Sequence, residues 1–138
     1  MSSMDVLLVG EPRAMARLRR SLRGGQPALR VTVARDPKWI ETGLRSKRMA
    51  VAVVQQAQGW DGEESPERRI RERWPGCAVL GWIESGRTPP QAEAARAAGL
   101  DGLLFEDGST PEALRLQLHL AAARAAEWAE ALEARARY

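Results

Sequence analysis

A chain of 138 residues has room for one domain with a substantial core and not for two. Hydrophobic residues make up 44% and charged residues 28%, a balance that excludes a disordered or fibrous protein. The net charge of +3 is small and carries no basic tail, so charge gives no strong pointer to nucleic acid; no apolar run approaches the ~20 residues that span a bilayer.

Asp5-Val6-Leu7-Leu8-Val9-Gly10 reads as a strand buried on both faces. Glu11-Pro12 opens a helix in which Met15, Leu18 and Leu22 form one buried stripe, and Gly24-Gly25 stops it. Leu29 to Ala34 is a second strand; Arg30 and Thr32 alternate with apolar neighbours, as at a sheet edge. Asp36-Pro37 caps a second helix with Trp39, Ile40 and Leu44 as its apolar face. Met49 to Val54 has no polar residue and belongs at the sheet centre; it runs into Gln55-Gln56. After a loop, Ser65-Pro66 caps a helix carrying Ile70 and Trp74, and Pro75-Gly76 ends it. Cys77 to Ile83 is a fourth strand despite Gly81. Gln91 to Ala98 is an alanine-rich helix closed by Gly99, and Gly102 to Phe105 a fifth strand. Ser109-Thr110-Pro111-Glu112 opens a last helix that nothing interrupts.

Strands alternating with helices of this length imply an α/β fold: a five-stranded parallel sheet covered on both faces, of the flavodoxin-like order 2-1-3-4-5. In such sheets a site lies at the carboxyl ends of the strands. Here those ends supply Gly10-Glu11, Gln55-Gln56, Ile83-Glu84 and Glu106-Asp107.

Three stretches, DVLLVGEPRAM (5–15), VAVVQQAQGWDG (51–62) and AARAAGLDGLLFEDGSTPEAL (94–114), resemble the CheY-like receiver domain of two-component response regulators. The resemblance covers roughly residues 4–125. It implies a constellation in which two acids after the first strand hold Mg²⁺ and an Asp ending the third strand takes the phosphoryl group. A Ser or Thr after the fourth strand and a Lys after the fifth contact the phosphoryl oxygens. Position by position the chain departs from this. The acid pair becomes Gly10-Glu11, the nucleophile position falls on Gln55 or, with no loop residue deleted, Val54, the hydroxyl position near Trp82 or Ile83, and the lysine position on Glu106 or Phe105. An amide is not a nucleophile for phosphoryl transfer. The resemblance thus implies a pseudo-receiver, a non-enzymatic signalling domain with a degenerate phosphorylation pocket at Gly10, Glu11, Gln55, Trp82 and Glu106, and with no cofactor and no metal. It would regulate an attached or partner output module.

Asp61, before Gly62, is the remaining candidate phosphoacceptor, although Asp-Gly is ordinary turn chemistry. Glu11, Glu84, Glu106 and Asp107 offer oxygens for a cation but read more simply as solvated acids. Trp60 and Trp82 fit a plugged pocket or a partner patch, or else Trp82 is core and Trp60 covers a loop; Trp74 fits the core and His119 a helix face. Arg13, Arg17 and Arg20 form a row on the first helix, and Arg68, Arg69, Arg71 and Arg73 crowd another. Such rows are usually solvated faces, and no zinc or helix-turn-helix pattern adds a case for DNA. A small-molecule enzyme on a flavodoxin-like frame lacks a Gly-rich phosphate loop, a nucleophile elbow or a Cys-His pair. The lone Cys77 excludes an internal disulfide and fits a reducing cytoplasm, and residues 1–10 lack the basic segment of a secretory signal.

Leu114, Leu118, Ala121, Ala125, Trp128 and Leu132 repeat at alternating spacings of four and three, an a/d seam whose first two residues can bury against the domain's own sheet while Trp128 and Leu132 need another surface. The expectation is a receiver-like domain over 1–125 and a coiled-coil-like extension over 126–138. A homodimer would form along Leu118, Ala121, Ala125, Trp128 and Leu132, with a protein partner or output module downstream and no membrane contact.

Overall fold

The computed structural model of the chain describes residues 4–25, 28–34, 40, 48–56 and 65–137. Five strands, β1 (Met4–Val9), β2 (Leu29–Ala34), β3 (Val51–Gln55), β4 (Ala78–Ile83) and β5 (Gly102–Phe105), form one parallel sheet. Their order is β2-β1-β3-β4-β5, the expected arrangement, with β3 central and β2 at an edge. The four described helices are α1 (Pro12–Ser21), α2 (Pro66–Arg73), α3 (Ala92–Ala97) and α4 (Pro111–Arg137). Of the helix expected after Asp36, only Ile40 lies within the described residues, and it is buried; Trp39 and Leu44 lie outside them.

The alternation of side chains along each strand divides the core in two. Val6, Leu8, Val51, Val53, Leu80, Trp82 and Leu104 face one way and are covered by Ala14, Met15 and Leu18 of α1 and Leu114 and Leu118 of α4. Leu7, Val9, Ala52, Val54 and Val79 face the other way, against Ile40, Ile70, Trp74 and Ala95. Because both faces are covered, the inner strands need apolar residues at every position. β3 and β4 are buried throughout. β2, at the edge, tolerates an exposed Arg30, which pairs with Asp5 at 2.9 Å.

Local chemistry sets the helix starts. Ser65 accepts a hydrogen bond from the Arg68 N–H at 3.4 Å, and Thr110 one from the Ala113 N–H at 3.1 Å. Each is followed by a proline, whose missing N–H costs nothing in a first turn. Gly81 stands inside β4 for a steric reason. A Cβ there would lie 2.9 Å from Leu103 Cδ2 and 3.1 Å from Leu100 Cδ1. β4 starts at Ala78 rather than Cys77, and β3 at Val51 rather than Met49. No described helix is long and apolar enough to cross a membrane.

Candidate functional site

The carboxyl edge of the sheet brings together the residues expected from sequence. β1 and β3 run in register with Val9 beside Val54, so their next residues, Gly10 and Gln55, are neighbours. Gln55 is itself in register with Trp82 of β4, and Trp82 with Leu104 of β5. Gly10, Glu11, Gln55, Trp82 and Glu106 therefore share one end of the sheet.

Gln55 is 4% exposed, and both ends of its amide are used. Its Oε1 accepts the Glu11 backbone N–H at 2.6 Å. Its Nε2 donates to Oε1 of Glu84, just past the end of β4. The other oxygen of Glu84 meets Arg17 Nη2 of α1 at 3.4 Å. One neutral side chain thus joins the β1–α1 turn, the end of β3 and the loop after β4. A buried amide left without partners would cost about 1–3 kcal/mol, so this arrangement is what allows a polar residue to lie there.

Gly10 is the counterpart of Gln55. A Cβ at Gly10 would fall 2.5 Å from Gln55 Oε1 and 2.6 Å from Gln55 Cβ. The glycine leaves the space that the amide occupies. Trp82 is 4% exposed and packs in the core on the α1 and α4 side. Of the two sequence readings for it, core and pocket plug, it fulfils the first. Trp74 is core as well. Trp60 and Asp61 lie outside the described residues.

Two of the four acids at this edge, Glu84 and Glu106, bond to the protein, while Glu11 and Asp107 are exposed, as expected of solvated acids. Glu106 Oε1 accepts the Ser85 N–H at 2.9 Å, and the Glu106 N–H donates to Ile83 O at 2.9 Å, so this residue ties the loop after β4 to the end of β5. The reading of Glu84 and Glu106 as merely solvated acids is corrected by these contacts. Glu84 completes the bonding of the Gln55 amide, and Glu106 that of the Ser85 N–H in the loop after β4. Among the described residues, no group of three His, Cys, Asp or Glu side chains is placed to hold a metal ion. Among the described residues this edge offers a buried amide, the engaged carboxylates of Glu84 and Glu106, and an indole.

One polar knot escaped the sequence reading. Arg71 of α2 donates through Nε to Gly99 O at 2.8 Å and through Nη2 to Asp101 at 2.7 Å. The other Asp101 oxygen accepts the Val79 N–H at 2.8 Å. The acid in the Gly-Leu-Asp-Gly turn before β5 was the available signal.

The last helix is continuous from Pro111 to Arg137, 27 residues or about 40 Å at 1.5 Å per residue. It divides the expected seam. Leu118 is fully buried in the domain's own core, and Ala121 and Ala125 pack against that core, so these three are taken within the chain. Their small size lets the helix lie close to the sheet, and Ala129 still reaches Gly76, its Cβ 3.6 Å from where one at Gly76 would be. Trp128 and Leu132 are 66% and 49% exposed and meet nothing comparable. Beside them a groove of about 420 Å³ runs between α4 and β5, lined by Leu103, Leu104, Leu120 and Trp128 and bordered by Arg71 and Asp101.

No protein-family model and no curated protein matches the chain. Solved structures do. An adenylate cyclase from Rhodopirellula baltica superposes with a TM-score of 0.72 at 15% identity, over 99% of this chain and 100% of that one. The signal receiver domain of an HD domain-containing protein from Pseudomonas fluorescens Pf-5 gives 0.68 at 19% identity, over 90% and 98%. The response regulator ChrA of a heme-sensing two-component system gives 0.62 at 27% identity, over 92% of this chain and 58% of that one. The fold is that of a CheY-like receiver. These likenesses establish architecture, and the side chains at the carboxyl edge are this chain's own.

Proposed function

We propose that this domain is a receiver-fold signalling module that does not accept a phosphoryl group. It regulates an attached or partner output module through protein–protein contact. The observation that carries the reading is Gln55. The residue ending the central strand, where a receiver presents its acceptor carboxylate, is an amide buried and bonded at both ends. Its neighbour Gly10 has no side chain to hold a metal, and Glu106 puts a carboxylate where a cation would be needed. An enzyme reading finds no support in this set, and a lone buried thiol fits a reducing cytoplasm.

The apolar end of α4 supports the second half of the proposal. Trp128 and Leu132 continue the stripe that Leu114 and Leu118 bury, but beyond the sheet. Ala125, Ala129 and Ala136 lie beside Leu132, with Arg135 one heptad beyond Trp128 at the edge of the stripe, and a second copy of that face is its simplest cover. A homodimer through residues 126–138 would place two copies of the domain at one end of a shared helical pair, along which a change at the domain could travel.

Incubation with Mg²⁺ and acetyl phosphate, followed by intact-mass measurement, tests the first claim. The expected result is an unmodified chain. Stoichiometric phosphorylation, at Asp61 or elsewhere, would overturn it.

A further inference from the structure

Helix α1 shows a second surface of different chemistry. Residues 12–28 hold five arginines and no acid. Arg17 pairs with Glu84; among the described residues no acid lies within ion-pair distance of Arg13, Arg19, Arg20 or Arg23. All five arginines are exposed, on the side of the helix away from Met15 and Leu18. At the end of α1, remote from the carboxyl edge, the chain turns through Gly24 and Gly25, both at positive φ, and returns to the start of β2. Between these elements lies a groove of about 270 Å³. Its floor is apolar, formed by Leu22, Leu29 and Val31, and its rim carries Arg19 and Arg23.

We infer that this groove and the arginine ridge beside it form a docking surface for an acidic protein segment bearing an apolar anchor. The rim demands negative charge, because two unpaired guanidinium groups a turn apart repel each other and attract any carboxylate that comes near. The floor demands more than charge. A nucleic-acid backbone has no apolar group to set on leucine and valine, and α1, at 10 residues, is about 15 Å long, too short for the several phosphates that give such binding its strength. An anionic membrane takes up protruding apolar side chains, whereas Leu22 is buried and Leu29 and Val31 are set back between two elements. A partner helix with glutamates flanking a leucine meets both demands. A second copy of this chain, whose α4 exposes Leu116 and Leu120 on the side that carries Glu112 and Glu127, is the competing occupant, and its signature is a change in sedimentation.

The inference goes beyond the proposed function and does not depend on it, since the surface lies away from the Gln55 crevice. Fluorescence anisotropy on the full chain tests it, with a dye-labelled helical peptide carrying a leucine face flanked by glutamates as probe. The expected result is binding that falls at least about tenfold in the double variant Arg19→Glu/Arg23→Glu and falls again as salt is raised. Arg96→Glu, an exposed arginine of α3, should leave it unchanged. If circular dichroism shows the double reversal unfolded, Arg19→Gln/Arg23→Gln is read instead. No binding, or binding indifferent to the reversal, would overturn the inference. So would equal or tighter binding of a short DNA duplex or of phosphatidylserine vesicles with the same arginine dependence. A change in sedimentation of the protein alone on reversal would assign the groove to a second copy and would also overturn it.

Discussion

The two ends of this molecule are built on opposite terms. At the carboxyl edge, polar groups are closed on one another. Gln55 bonds Glu11 and Glu84, Glu84 meets Arg17, Glu106 holds Ser85, and Gly10 provides the room. At the far end of α4, apolar groups lie open, with Trp128 and Leu132 exposed beside an alanine-rich face. In a receiver, chemistry at the first end drives change at distant surfaces. Here Gln55, Glu84 and Glu106 bond within the protein, and the exposed large apolar groups lie at a distance from them. Under the proposed function, partner contact would fall to such an exposed apolar surface.

The contrast breaks most sharply at Gly10. If Gln55 fills the space that Gly10 leaves, Gly10→Ala forces the amide or the strand to move. The expected loss is about 1–3 kcal/mol of folding stability, measured by denaturant titration. The same substitution in a Gln55→Ala background should cost much less, since the atoms it meets are gone, so the two changes should be strongly non-additive. Additive losses would mean that the pair is not coupled and that the crevice is looser than its hydrogen bonds imply.

Substitution at the other end should behave in the reverse way. Trp128→Ala and Leu132→Ala remove exposed side chains, and each should shift the stability of dilute protein by no more than about 0.5 kcal/mol. The same variants should shift the monomer–dimer balance in sedimentation velocity towards monomer as concentration is raised. A tail variant that costs several kcal/mol in dilute protein would show that α4 folds against its own domain over its whole length. Dimerisation undiminished by both changes would remove the tail from the interface.

Much of this contrast was legible in the chain. β2 and β5 fall where alternation and punctuation put them, and the apolar runs of β3 and β4 mark them as interior and Arg30 marks β2 as an edge, whereas nothing in the wholly apolar β5 marks it as the other edge. The composition of the crevice was legible too, because the spacing from each strand to its end fixes which residue stands there. What the sequence did not carry was the bonding. Nothing in Gly10 or Gln55 alone reveals that one makes space for the other, since they lie 45 residues apart and meet only through strand register. Arg71 and Asp101 are likewise 30 residues apart. That Ala121 and Ala125 also pack on the domain's own core was not legible, because periodicity reports a face and not what covers it. Leu118 and Ala125 share that face with Leu132, and only the position of the sheet divides them.

Cys77 gives the smallest effect and a test of how dry the region between the two ends is. The thiol is buried on the α2 face of the sheet, near Asp101 and Arg71. Burial, with a lesser push from the Asp101 carboxylate and an opposing pull from Arg71, raises its pKa from 9.0 to about 12. The folded state therefore holds this proton more tightly than the unfolded chain does. Its contribution to stability is intact below pH 9 and is lost as pH rises from about 9 towards about 12. At neutral pH no effect is expected, and the thiol should resist alkylation until the domain unfolds. Other groups titrate in the same alkaline range, so the quantity to measure is the difference in denaturation midpoint between the natural chain and Cys77→Ala across that range. That difference should move against the natural chain as pH rises. A constant difference, or rapid labelling of native protein at neutral pH, would mean that water reaches the sheet between α2 and the groove beside α4, and the closed interior on which the contrast rests would have to be redrawn.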